Sequence, residues 1–234
     1  MNPQEVHIHC LVAVVLMGRG IYAAAVRVDR PPPGEEWSHG EITEPRPAAS
    51  LILLRDADDQ QEVLLVQRTP AQRFMGGAWV FPGGAVDPGE GEGEEAHRRA
   101  AVRELREEVG VTLPDPAALV RFSRWITPAE IKVRFDTHFF LAPAPAGATP
   151  RVDGSECVDL RWVTPRAGLD AGGRGELKLF FPTIRHLEQL EPFGSARELL
   201  GWARGRAVEP VLPRLVREGE TARIVMPGEP GYAG

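Results

Sequence analysis

The 234-residue chain carries 27 Lys and Arg against 33 Asp and Glu, a formal net charge of -6, with 43% hydrophobic and 26% charged residues. At roughly 150 residues per domain this is one domain with extensions, or two small ones. The acidic balance excludes the broad basic footprint that a general nucleic-acid or membrane-surface binder needs. The two cysteines, Cys10 and Cys157, make neither a disulfide framework nor a CxxC zinc site, so a reducing, cytoplasmic setting is expected.

The apolar run from Cys10 to Met17 is too short to span a membrane and lacks a basic leader, so it reads as a strand or as the over-long start of a reading frame. Arg30 to Ala49, rich in Pro, Gly and charge, reads as a linker or extended surface segment. Ser50–Arg55 and Glu62–Val66, separated by the turn cluster Asp56–Gln60, predict a β-hairpin. Ala78–Phe81 predicts a third strand stopped by Pro82-Gly83-Gly84. From Glu95 to Val109, Ala101, Val102, Leu105 and Val109 recur at three- and four-residue spacing, which predicts an amphipathic helix ending at Gly110. Strands follow at 119–125, 132–141 and 158–163, then helices at 182–190 and 196–203, and a Pro- and Gly-punctuated tail. The order predicts a mixed α+β domain with its main helix packed on a sheet. The divisions expected are 1–46 (N-terminal segment and Pro-rich linker), 47–190 (the domain) and 191–234 (a C-terminal extension).

Chemistry concentrates in Arg103-Glu104-Leu105-Arg106-Glu107-Glu108-Val109-Gly110. On a helix, Glu104, Glu107 and Glu108 stand at i, i+3 and i+4 and share one face beside the apolar stripe. Such a patch is ordinarily a solvated surface. Hard oxygen ligands on a rigid helix also suit Mg²⁺ or Mn²⁺. Upstream, Phe81-Pro82-Gly83-Gly84-Ala85-Val86-Asp87-Pro88-Gly89-Glu90 forms a glycine-rich turn able to present backbone groups to phosphate or metal.

Together these residues resemble the Nudix box, G-x5-E-x7-R-E-U-x-E-E-x-G-U with U apolar, and the resemblance extends over about Pro47 to Leu190. Gly84 and Glu90 match its first half behind the Gly-Gly turn, but the distance from Glu90 to Arg103 is then five residues too long. Gly89, Glu95 and Arg103 satisfy the pattern literally, with Gly91–Glu95 resembling an insertion. Both Glu90 and Glu95 stay open for the loop glutamate. The resemblance implies an α/β/α sandwich around a mixed sheet and hydrolysis of a nucleoside diphosphate linked to another group. It implies Glu104, Glu107 and Glu108 as metal ligands, the Gly84 carbonyl as a further ligand, and Arg103 as the group that holds the glutamates. Glu156, in the turn Asp153–Glu156, is a candidate base, with Glu104 the alternative.

Leu64-Leu65-Val66-Gln67-Arg68-Thr69, then Arg73, Gly77 and Phe81-Pro82-Gly83-Gly84, resemble the coenzyme A diphosphatase signature L-L-T-x-R-[SA]-x3-R-x3-G-x3-F-P-G-G, with Val66 and Thr69 departing from it. That resemblance implies coenzyme A or acyl-coenzyme A as substrate, with Arg68 and Arg73 on phosphate. Gly77, Phe81, Arg134, Trp125, His138 and Phe139 are further substrate-side candidates, each equally placed to be a sheet-face residue. The C-terminal Met226–Tyr232 also resembles this branch, although the chain ends Tyr232-Ala233-Gly234 without a peroxisomal tripeptide. Other readings are hydrolysis of ADP-ribose, NADH, diadenosine polyphosphates or oxidised nucleotides, and a non-catalytic nucleotide-binding regulator. The partner expected is a small nucleotide-derived molecule rather than nucleic acid or membrane, and a homodimer is left open.

Overall fold

The computed structural model describes residues 15–16, 21–22, 26–27, 36–38, 40, 42–219 and 221–232. Of the apolar run Cys10–Met17, only Val15–Leu16 belongs to the described residues, paired with Ile21–Tyr22. The expected linker stretch Arg30–Glu35 lies outside them.

The sheet is built on β1 (Arg46–Ala57) and β2 (Gln60–Arg68), the expected hairpin. Its two-residue turn places Asp58 and Asp59 at φ 48° and 58°, a left-handed conformation that Asp tolerates better than most side chains. Two short strands follow, β3 (Trp79–Val80) on β2 and β4 (Gly83–Ala85) on β1. Then come α1 (Gly93–Val109), β5 (Val120–Ile126), β6 (Phe135–Pro143) and β7 (Cys157–Val163). After α2 (Pro165–Gly173), α3 (Phe181–Leu190) and α4 (Ala196–Ala203), a short strand β8 (Pro210–Val211) joins the sheet beside β5. The order is β7-β2-β1-β6-β5-β8, with β1–β6 and β5–β8 parallel and the other pairs antiparallel.

Because β1 and β2 are central, both of their faces are covered, and their apolar runs are continuous rather than alternating. Successive side chains still part to opposite sides. Leu51, Leu53, Leu64 and Val66 face α1, which presents Ala100, Ala101, Leu105 and Val109. Ile52, Leu54, Val63 and Leu65 face the other layer, with Leu169 of α2, Leu187 of α3 and Leu199 of α4. This is the expected α/β/α sandwich around a mixed sheet. Among the described residues no helix is long and apolar enough to cross a membrane.

Several elements depart from the sequence reading. α2 carries three glycines, which hid it; a Cβ at Gly168 would come within 3.2 Å of Leu187 Cδ1, so the glycine serves close packing on α3. Gly83 and Gly84 do not stop a strand but form β4. Phe135 begins the strand expected from Lys132. The expected surface segment holds a buried tryptophan, Trp37, bridged to Ile131. The tail contains a hairpin, β9 (Arg214–Glu218) and β10 (Thr221–Val225), whose second strand also pairs with Val26–Arg27.

His186 of α3 is fully buried among Phe81, Phe122, Trp125 and Phe139, with Nε2 on Ser123 Oγ at 2.6 Å. Burial pulls its pKa down to about 3. The unfolded chain therefore binds a proton that the folded one refuses between about pH 6.5 and 3. Stability is expected to fall as pH drops through this window, by up to about 1.4 kcal/mol per pH unit from this residue. Urea unfolding across pH should show a shallower acid limb in His186→Phe than in the wild type.

Candidate active site

Strand β4 and helix α1 place the carboxylates. Gly83 pairs with Ser50 so closely that a Cβ there would lie 2.5 Å from the Ala49 carbonyl oxygen. Its N–H donates to Glu108 Oε2 at 3.0 Å. A Cβ at Gly84 would lie 2.3 Å from Glu104 Oε1. The two glycines thus let the strand run directly against the carboxylate face of the helix.

Arg103 joins the preceding turn to that face. Its Nε donates to Glu90 Oε1 at 3.0 Å, Nη1 to Glu104 Oε1 at 2.7 Å and Glu107 Oε2 at 3.0 Å, and Nη2 to the Ala85 carbonyl at 2.9 Å. Although burial acts the other way, Glu90, Glu104 and Glu107 hold the guanidinium well above its ordinary pKa. Glu90 Oε2 also accepts from Asp87 N at 2.7 Å, and Arg99 Nε reaches the Glu90 carbonyl at 2.8 Å. Glu90 is therefore the glutamate that reaches Arg103. Glu95 is exposed on the first turn of α1, and Gly89 has open space where a Cβ would stand. The inserted residues are taken up by the turn at Gly91, φ +87°, and the start of the helix.

Glu104 is 9% exposed and Glu108 2%. Burial, then the charge of Glu104, pushes Glu108 up to about 7 against the opposing Gly83 N–H. Glu104 is also raised, by burial first, with Glu107 and Glu156 adding to it against Arg103. The Cys157 thiol, buried beside Glu108, is raised by burial and by that carboxylate. Two buried carboxylates pressed toward neutrality form a donor set that a divalent cation satisfies, and all their ligand atoms are hard oxygens. The residues fit Mg²⁺ or Mn²⁺. No ready-made group of three His, Cys, Asp or Glu ligands stands among the described residues, and Arg103 engages both Glu104 and Glu107.

A cavity of about 430 Å³ opens beside these groups. Glu104, Glu156, Arg68, Phe81, Gly84 and Arg46 are among its lining residues, as are Trp125 and Phe139. Of the three helix glutamates only Glu104 lines it; Glu107 is exposed and Glu108 is sealed behind Gly83. Arg68 bonds Gln72 Oε1, and its charge acts to lower Glu108. Glu156 sits on a turn organised by Asp153, whose carboxylate accepts from the backbone of Ser155, Glu156 and Cys157. Although burial opposes it, these bonds and the Ser155 hydroxyl hold Asp153 at about 2.

Four substrate candidates stand elsewhere. Arg73 is exposed and bonds Glu36 Oε1 at 2.8 Å, outside the cavity lining. Arg134 is buried, with its guanidinium on the carbonyls of Thr43 at 2.7 Å and Thr127 at 3.0 Å, and it braces the chain before β1. Gly77 supplies a positive φ of 73° to the turn between β2 and β3. His138 also lies outside the lining, stacked on His97 at 3.9 Å, and burial followed by the His97 charge pulls it down to about 4. The sequence reading missed the place of Arg46, Pro213 and Ile224 in the cavity lining; none carries a local motif.

Sequence and structure comparisons agree on the family. The NUDIX domain model matches residues 44–183, so the chain belongs to the Nudix family. It is 28% identical over 186 residues to the putative nudix hydrolase 7 of Caenorhabditis elegans, covering 64% of this chain and 62% of that protein. It is 33% identical over 108 residues to a putative 8-oxo-dGTP diphosphatase of Bacillus subtilis, covering 46% and 61%. The matches thus span about three-fifths of these relatives. The crystal structure of a NUDIX hydrolase from Alicyclobacillus acidocaldarius superposes with a TM-score of 0.62 at 29% identity, covering 69% of this chain and 97% of that one.

The two loop glutamates are separable by stability. Glu90→Ala is expected to cost about 1–3 kcal/mol, because Arg103 loses a partly buried partner, whereas Glu95→Ala should stay within about 0.5 kcal/mol of the wild type. Denaturant unfolding of both variants checks this.

Proposed function

We propose that this chain is a metal-dependent diphosphohydrolase acting on a nucleoside diphosphate linked to another moiety, with coenzyme A or acyl-coenzyme A as substrate. The products are 3′,5′-ADP and (acyl-)phosphopantetheine. The reaction class rests on one observation above all: Glu104, braced by Arg103, opens into the same cavity as Arg68 and Glu156. Glu104, Glu107 and Glu108 with the Gly84 carbonyl would hold Mg²⁺ or Mn²⁺, which when bound neutralises diphosphate charge and acidifies water. Arg68 supplies a guanidinium for the anionic diphosphate. Glu156, held by the Asp153 turn and close enough to Glu104 to raise its pKa, is suited to accept a proton from the attacking water. Arg103 fixes the spacing of loop and helix, and Glu90 is assigned as its loop partner.

The coenzyme A assignment is supported by the spacing from Leu64 to Gly84, and within it by Arg68 and Phe81, which line the cavity. Arg73 is paired outside it and is reassigned as a brace for the Glu36 segment. A second reading, hydrolysis of oxidised nucleotides, is favoured by the name of the Bacillus subtilis relative.

The deciding assay offers coenzyme A, acetyl-coenzyme A, ADP-ribose, NADH, diadenosine polyphosphate and 8-oxo-dGTP with Mg²⁺ or Mn²⁺. Products are resolved by chromatography. Preferential release of 3′,5′-ADP is expected; faster turnover of 8-oxo-dGTP would replace the substrate while keeping the chemistry. Glu107→Gln and Glu108→Gln should each lower kcat by at least about tenfold with the fold intact, and chelation of the metal should abolish turnover. Arg73→Ala should change KM for coenzyme A and dephospho-coenzyme A equally, by less than about twofold, consistent with the modest worth of an exposed ion pair. A selective loss for coenzyme A would return Arg73 to the 3′-phosphate.

A further inference from the structure

The family match ends at residue 183, yet the cavity wall does not. Pro213 and Ile224, which begin and end the C-terminal hairpin region, are among its lining residues. The hairpin pairs Leu215 with Ile224 and Arg217 with Ala222. It is fixed in place by a small core of its own, in which Leu215 and Ala222 are buried with Trp37 and Ile131. Ile224 packs against both this cluster and the main core. The loop carrying Ile131 is tied to the Trp37 segment by Lys132 N to the Glu36 carbonyl and Ser38 N to the Glu130 carbonyl, each at 2.8 Å.

The wall that results is apolar. Pro128, Ile131, Phe135 and Phe74 line the cavity together with Pro213 and Ile224. Of the four hydroxyl residues in the lining, two are already engaged. Ser50 donates to the Pro82 carbonyl at 3.0 Å, and Thr127 donates to the Phe135 carbonyl at 3.3 Å. Arg46 is exposed, with its guanidinium 5.7 Å from the centre of the Phe135 ring. A sugar or second nucleoside seated against this wall would give up water with few replacement partners. An alkyl, acyl or other apolar group would give up water gladly.

We propose that the β9–β10 hairpin is a specificity element, walling part of the cavity so that it favours diphosphates whose second group carries an apolar chain, as an acyl-coenzyme A does. This rests on the diphosphohydrolase reading for the chemistry at the Glu104 end and adds to it the nature of the group beyond the diphosphate. Ile224 is the determinant from the hairpin, because it joins the cavity wall to both clusters.

The test measures affinity rather than turnover. Methyl, butyl and octyl esters of ADP, with a methylene group replacing the bridging oxygen so that they cannot be hydrolysed, are titrated calorimetrically into the full chain with Mg²⁺. Octyl is expected to bind at least about tenfold more tightly than methyl, given the apolar area each added methylene buries. The gain should collapse below about threefold in Ile224→Glu, be partly lost in Ile224→Ala and be kept in Ile224→Val. Affinity that does not grow with chain length in the wild type overturns the proposal. So does full retention of the gain in a folded Glu variant, or in the Ala variant where Glu does not fold. The oxygen-bridged esters are assayed in parallel. If none is cleaved while the affinity series holds, the reaction reading falls and the specificity inference stands.

Discussion

The site is organised around a single guanidinium. Arg103 spends its donors on two sets of acceptors from different parts of the chain, Ala85 at the end of β4 with Glu90 in the turn after it, and Glu104 and Glu107 on the helix. Each acceptor alone is an ordinary partly exposed contact. Jointly they set the distance between β4 and α1, and that distance decides whether Glu104 opens into the cavity and Glu108 is sealed under Gly83. A lysine would not replace it, since one ammonium cannot reach four directions from a planar fork. The bare glycines complete the arrangement, for a side chain at position 84 would meet the Glu104 carboxylate itself.

Electrostatic strain gathers on the same face. Glu104 and Glu108 are desolvated and mutually repelling, and Cys157 adds a buried thiol whose ionisation Glu108 opposes. Buried like charges are costly unless compensated, and Arg103 supplies part of that compensation to Glu104. The scaffold bears this cost because α1 is anchored behind by Ala100, Ala101, Leu105 and Val109 on the sheet.

Much of this was legible from the residues. The period of Ala101, Leu105 and Val109 marked α1, the Asp-rich turn marked the β1–β2 hairpin, and the Glu104–Glu107–Glu108 spacing marked one helix face. What escaped had no local signal. α2 has no sequence signal because Gly168 and Gly172 serve close contact with Leu187 and Leu179 rather than helix propensity. Gly83 and Gly84 read as a strand stop because the need for them comes from β1 and from Glu104, 20 residues or more away. The choice between Glu90 and Glu95 could not be made by counting, since only the folded turn shows which carboxylate meets Arg103. Arg73 fits a phosphate-binding pattern in spacing and Arg134 is a substrate-side candidate from the sequence, yet their charges are spent on Glu36 and on backbone carbonyls.

The cavity draws its lining from Arg46 at one extreme and Ile224 at the other. Chains emerge from the ribosome N-terminus first, and domains fold as units during synthesis. A nascent chain that has emerged as far as α4 already holds Arg103, the helix carboxylates and the central strands, while Pro213 and Ile224 are still to come. Such an intermediate carries the anionic face without its far wall, with Trp37 and Ile131 lacking the partners that cover them in the finished molecule. Completion of the pocket therefore waits on the segment that carries Pro213 and Ile224.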